Sequence, residues 1–254
     1  MPLATRMRMA AAGATVDAGD ALATAMLALS PVELWIMGEL SGTTAAASVL
    51  TPTRDGTFAN VTLDNVDGPG GFSRAGLWNG TTSTCDIYSA SLASAFNGSV
   101  GTALIFAKIS GAQWGDSTLR NLLYLAVDSS NFVRLLKTAI TNRIIIRYKA
   151  SDTTQTVTYD STGPTGWVLW GVTWTTIGNE MKAYFLPSSA GGQIGTTQVG
   201  LTAWVGTLNS DTTVIGSASV SSPSVVMSGN LGYCAIYDTV LTEAQIQAVM
   251  AATE

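Results

Sequence analysis

The chain reads as an all-β protein, a two-sheet antiparallel sandwich of jelly-roll type, on three observations. Only 11 % of its 254 residues are charged, so the straight-chain ionic residues that cover exposed helix faces are scarce. Thr, Val and aromatic residues recur in short alternating runs, the mark of strands. Gly, Asn, Asp and Ser clusters, with 26 glycines in all, punctuate those runs as the turns of a sandwich do. This length suits one domain of that class.

Residues 1–30 differ in composition from the remainder of the chain and are expected to form an N-terminal arm, with the sandwich over 31–254. Arg6 and Arg8, an apolar centre and small residues suggest a secretory signal as one alternative. Met9–Val16 is short and alanine-rich, however, and Asp17 and Asp20 come directly after it. The spacing favours an arm ending in a helix, with Asp17 as cap, Leu22, Met26 and Leu29 at i, i+4, i+7, and Pro31 as the stop. Arg6, Arg8, Leu22, Met26 and Leu29 are the candidate anchoring residues, docking on the chain's own domain or on a partner.

From Pro31 onward the strands come in order. Val32–Met37 is a strand, and Glu39–Thr44 a polar turn. Asp55-Gly56-Thr57-Phe58 leads into a strand reaching Leu63, and Gly68–Gly71 is a loop. Leu77–Gly80, Cys85–Tyr88 and Val100–Ile109 continue the pattern. Leu122–Val127 and Phe132–Leu136 flank Asp128–Asn131, which has hairpin chemistry. In Arg143–Lys149, Ile144, Ile146 and Tyr148 alternate with Arg143, Ile145, Arg147 and Lys149. Trp167–Trp174 is apolar on both faces, which predicts a central strand with Trp170 and Trp174 in the core. Gly191–Gly195 and Ser217–Ser224 read as rim loops.

The last stretch, Leu231–Met250, holds a strand, a turn and a capped helix. Thr242 and Gln245 have capping-box spacing, Leu241 and Ile246 staple spacing, and Ile246, Val249 and Met250 form one buried stripe.

Several functions are excluded by composition. There is no histidine, so no Ser-His-Asp or Cys-His system and no His-ligated zinc can be assembled. Glu33 and Glu39 are roughly 20 Å apart along an extended strand, too far to flank one glycosidic bond. A net charge of −5 with 12 Lys and Arg is poor equipment for nucleic acid. Cys85 and Cys234 could form one bridge or remain buried thiols; the second reading suits two cysteines without a CxxC motif. No apolar run reaches the roughly 18–20 residues of a membrane span.

Four of these segments in order resemble the laminin-G-like, concanavalin-A-type β-sandwich family. They are the Trp-bearing first strand with Glu39 and Ser41-Gly42-Thr43 after it, the Leu77–Gly80 and Cys85–Tyr88 pair, WVLWGVTW at Trp167–Trp174, and the closing strand and helix. The resemblance runs from about Val32 to Met250 and implies a lectin-like fold. The paired carboxylate motif carried by the glucanase members does not occur, so a non-enzymatic protein is expected.

The resemblance also implies candidate sites. Lectin-like members hold a rim calcium with hard oxygen ligands, and Asp64, Asn65 and Asp67, or else Asp128 with Asn131, are the acidic turns available. Trp78, Trp114 and Trp204 lie near Gly-rich turns and are candidates for stacking on sugars, against the alternative that each covers the core edge. The family's use in bacteriophages implies a virion protein, a capsid decoration or tail component with a capsid or tail protein and its own copies as partners. The alternative is a secreted carbohydrate-binding module.

Overall fold

The computed structural model describes residues 20–254. Helix α1 (Ala21–Leu27) leads into β1 (Glu33–Trp35), β2 (Thr44–Ala45), β3 (Gly56–Ala59), β4 (Thr62–Asp67), β5 (Arg74–Asn79) and β6 (Thr84–Asp86). After α2 (Ala90–Ala95) come β7 (Val100–Lys108), the single turn α3 (Gly111–Gly115), β8 (Arg120–Asp128), β9 (Asn131–Lys137), β10 (Arg143–Ala150) and β11 (Thr153–Asp160). β12 (Trp167–Thr175), β13 (Glu180–Leu186), β14 (Gly192–Gln198), β15 (Thr213–Ile215), β16 (Ser228–Tyr237) and α4 (Glu243–Ala251) complete the order.

Two antiparallel sheets form a sandwich. The first runs β14-β13-β12-β7-β16-β5-β4, and β1 pairs with the half of β16 that β5 does not reach. The second runs β11-β10-β9-β8-β15-β6-β3-β2. Alternation along β12 turns Trp170 and Trp174 into the space between the sheets, where Trp35, Trp78, Trp114 and Phe185 join them. Trp114 stacks on Trp170 at 5.9 Å, and Phe185 stands edge-on to both. Cys85 and Cys234 are both free and buried in this core, and burial pushes both thiols up.

The other face of the first sheet is a second core. Leu104, Phe106, Leu169, Tyr184, Tyr233 and Tyr237 project outward and are roofed by α1 and α4. In α4 the Thr242–Gln245 capping box is formed in both directions, and Leu241 and Ile246 are buried in the same cluster. In α1 the cap is Asp20, whose carboxylate accepts from the Ala23 amide at 2.8 Å. The expected cap, Asp17, lies outside the described residues, as do Arg6 and Arg8. Leu22 and Met26 are fully buried against the chain's own sheet and Leu29 packs beside them. They hold α1 to the sandwich, so Leu22 and Met26 present nothing to a partner.

Two strand expectations are corrected. The single strand expected up to Leu63 is two, because Asn60 adopts a left-handed φ of 55° and sends β3 and β4 into different sheets. Gly191–Gly195 is largely not a loop: β14 begins at Gly192 and pairs with β13.

Candidate functional site

The two outer faces of the sandwich have opposite character. Helices cover much of the first sheet, whereas on the second the alternation brings polar and aromatic side chains to the surface. Val133 and Leu135 of β9 and Ile144, Ile146 and Tyr148 of β10 enter the core. Phe132 and Arg134, and Ile145, Arg147 and Lys149, therefore lie outside.

Register joins these residues into a row. Thr156, Arg147, Arg134, Tyr124, Val214 and Asp86 are successive cross-strand partners over β11, β10, β9, β8, β15 and β6. From Arg147 to Asp86 is four strand steps, about 19 Å at ~4.8 Å each. The Arg134 guanidinium carbon sits 5.3 Å from the Tyr124 ring centroid, and its Nε donates to Asn121 Oδ1 at 2.6 Å. Phe132 meets the Tyr124 ring edge-on at 5.7 Å.

The electrostatics of the row are graded. Burial draws the Arg134 guanidinium below its ordinary value, Tyr124 opposes this, and Arg147 adds to the fall. At the other end burial raises the Asp86 carboxyl, the Tyr88 amide opposes this, and nearby Asp211 raises it further. Asp211 is held by the Ser221 amide and the Ser219 hydroxyl, which form a lip beside β15. The row is thus cationic at one end, aromatic in the middle and acidic at the other, with the fully buried Val214 separating the Asp86 end from Tyr124.

A smaller feature lies on the first sheet where the helices stop short. Leu77, Asn230, Lys108 and Trp167 are cross-strand neighbours there. Together with Gln113 and Thr165 the first three line a shallow cavity of about 330 Å3.

The candidates named from sequence fall elsewhere and apart. Trp78 is 0 % and Trp114 1 % exposed, so neither indole can stack on a sugar. Trp114 donates to the Pro164 carbonyl from inside the core, and Trp78 packs against Phe58. Trp204 is half-buried at the opposite end of the sandwich, against Phe96 and Tyr148. Asp64 and Asp67 belong to strand β4 rather than a loop, and both carboxylates close on the Arg74 guanidinium. Asn65 Oδ1 accepts from Asn230, so the trio offers an arginine clamp in place of a calcium cradle. Asp128 Oδ1 accepts from the Ser130 and Asn131 amides and from the Asn131 side chain, which closes a turn.

Tyr124, Arg134 and Asn121 carry no motif that singles them out in the sequence. Arg147 is visible in the Arg143–Lys149 alternation, but its pairing with Arg134 depends on the register across the β9–β10 turn.

No protein-family model and no curated protein sequence matches this chain. Among solved structures, the botulinum neurotoxin serotype D binding domain superposes with a TM-score of 0.62 at 12 % identity, over 87 % of this chain and 51 % of that one. A structure of botulinum neurotoxin type C, whose cell entry depends on interaction with two ganglioside molecules, gives 0.61 at 13 % identity over 88 % and 52 %. The CBM40 domain of the Ruminococcus gnavus IT-sialidase, bound to α2,3-sialyllactose, gives 0.50 at 13 % identity over 63 % and 86 %. This chain therefore spans about half the length of the neurotoxin domains. At these identities the likeness is one of fold: the chain is an all-β sandwich of two antiparallel sheets, similar in fold to these domains.

Proposed function

We propose that this protein is a non-catalytic glycan-binding domain that uses the open face of its second sheet. The observation that carries the reading is the trio Arg147–Arg134–Tyr124, half-buried aromatic and polar side chains paired across the outer face of a rigid sheet. Phe132 lies beside them, and the buried Val214 separates them from Asp86. Aromatic faces meet the apolar side of a sugar ring while amide and charged groups bond its hydroxyls. The solved structures of similar fold include domains that bind sialyllactose or interact with gangliosides, which supports the same class of ligand here. The chain has no histidine, and the carboxylates near the row, Asp86 and Asp211, are engaged by backbone or hydroxyl donors. That arrangement suits binding better than acid–base chemistry.

A screen of the full chain on a glycan array tests this. Wild type binds at least one glycan class, and Tyr124→Ala with Phe132→Ala removes the signal while the thermal melt stays close to wild type. A chain that binds no glycan, or a double variant that binds unchanged, refutes the reading.

The finer expectation, that the first thirty residues attach the domain to a virion, rests on the family resemblance alone. Leu22 and Met26 are docked on the first sheet, so such an attachment would not use their side chains, and residues 1–19, with Arg6 and Arg8, are the segment to test. Deleting residues 1–19 and measuring particle association tests it.

A further inference from the structure

We propose that Arg134 and Arg147 form an anion site on the second sheet, which takes the carboxylate or sulfate of an acidic glycan. The proposal rests on the glycan-binding reading and specifies its chemistry.

The two arginines are direct cross-strand partners on β9 and β10. Like charges placed opposite one another destabilise a sheet, so their pairing calls for a compensating anion. None is supplied by the chain: among the described residues neither guanidinium takes part in an ion pair. Arg143, on the same strand β10, shows the contrast, since its guanidinium is held by Asp160 through two bonds.

The donors there also outnumber the acceptors. Arg147 Nε and Asn121 Nδ2 are buried and have no hydrogen-bond partner among the described residues. Among the described residues the one side-chain bond of Arg134 goes from Nε to Asn121 Oδ1 and none is made by its terminal nitrogens. Lys149 lies two residues beyond Arg147 on the same face, but its ammonium donates to the Ser129 carbonyl near Asp128, so the site rests on the two arginines. A cationic patch on a chain of net charge −5 is a local arrangement rather than a property of the whole surface.

Arg134 is also preorganised. The Tyr124 ring beneath it and the Asn121 amide beside it fix the guanidinium plane. A fixed planar fork presents parallel N–H donors to an oxyanion, and carboxylates and sulfates accept such pairs. Tyr124 then serves both ends of one ligand, holding the arginine and contacting the neighbouring sugar ring.

The test is an NMR titration of the full chain, monitoring the arginine Nε–H resonances, with glucuronate, inorganic sulfate and galactose as probes. Glucuronate or sulfate is expected to shift the Arg134 and Arg147 resonances, with galactose leaving them in place. The stronger of the two anions assigns the carboxylate or the sulfate as the ligand group. Arg147→Gln and Arg134→Gln, each checked for an unchanged amide spectrum elsewhere, should weaken the anion at least tenfold. Shifts equal with galactose, or anion affinity unchanged in both variants, overturn the proposal. If neutral glycans bind on the array and neither substitution matters, the anion site fails while the glycan reading stands. If the anions bind at the pair and no glycan does, the anion site stands and the glycan reading falls.

Discussion

The Tyr233 hydroxyl donates to the Asp20 carboxylate across 213 positions of sequence. The other carboxylate oxygen of Asp20 caps α1 through the Ala23 amide. One buried side chain therefore starts the helix and bonds it to the central strand β16. Tyr237 adds a second tie, donating to the Met26 carbonyl at 3.2 Å.

Asp20→Ala removes a cap worth about 1 kcal/mol and leaves the Tyr233 hydroxyl buried without its acceptor, at about 1–3 kcal/mol more. The expected result is a loss of about 2–4 kcal/mol in urea unfolding, with Tyr233→Phe losing less. Equal stability of Asp20→Ala and wild type would show that the Asp20 cap and its bond to Tyr233 contribute nothing to the fold.

The closing helix gives a sharper test of the second core. Ile246 is fully buried beneath α4 beside Leu241. Ile246→Ala should cost about 2–5 kcal/mol, as a large-to-small core substitution does. Ile246→Asp buries a carboxylate without a partner and should lower the melting temperature further. A melting curve unaltered in Ile246→Asp would remove α4 from the packed core.

The end of the sandwich near α3 carries an acid-sensitive cluster. Asp116 binds Arg120 and the buried Lys137. The Arg120 side chain holds the Asp116 carboxyl well below the usual range, burial opposes this, and the Thr118 amide and Lys137 add to the lowering. Because the folded value lies below the unfolded one, folding favours the ionised form. The stabilisation is complete above about pH 5 and is lost as the pH falls below about 4 toward the folded value. Unfolding curves across that window should show a steeper acid loss in wild type than in Asp116→Asn. At neutral pH Asp116→Asn leaves two buried cations without their carboxylate, a loss of about 3 kcal/mol. Asp116→Asn combined with Lys137→Met should recover part of it, which separates a charge effect from a general failure to fold.

What was legible in the sequence was local. The Thr242–Gln245 cap and the Leu241–Ile246 pair are set by spacing within one helix, and the structure forms both. The faces of Trp167–Trp174 come from the two-residue period, and Trp170 and Trp174 lie in the core as that period requires. What was not legible depends on partners distant in space or on backbone conformation. Trp114 stands among turn residues, yet α3 turns it under Trp170, 56 positions ahead in the chain. Asp64 and Asp67 look like hard ligands until Arg74 is placed between them by the β4–β5 pairing. The candidate site was hidden for the same reason. Arg134 and Arg147 meet only because the turn between β9 and β10 sets their register, and Tyr124 joins them through a ladder with register shifts.

Glycan binding on the open face of the second sheet is tested most directly by amide NMR mapping of the full chain with the strongest ligand from the glycan array. The largest shifts are expected on β8, β9 and β10 around Tyr124, Arg134 and Arg147. Shifts confined to the cavity at Lys108 and Asn230, or to the end of the sandwich around Trp204, would contradict it.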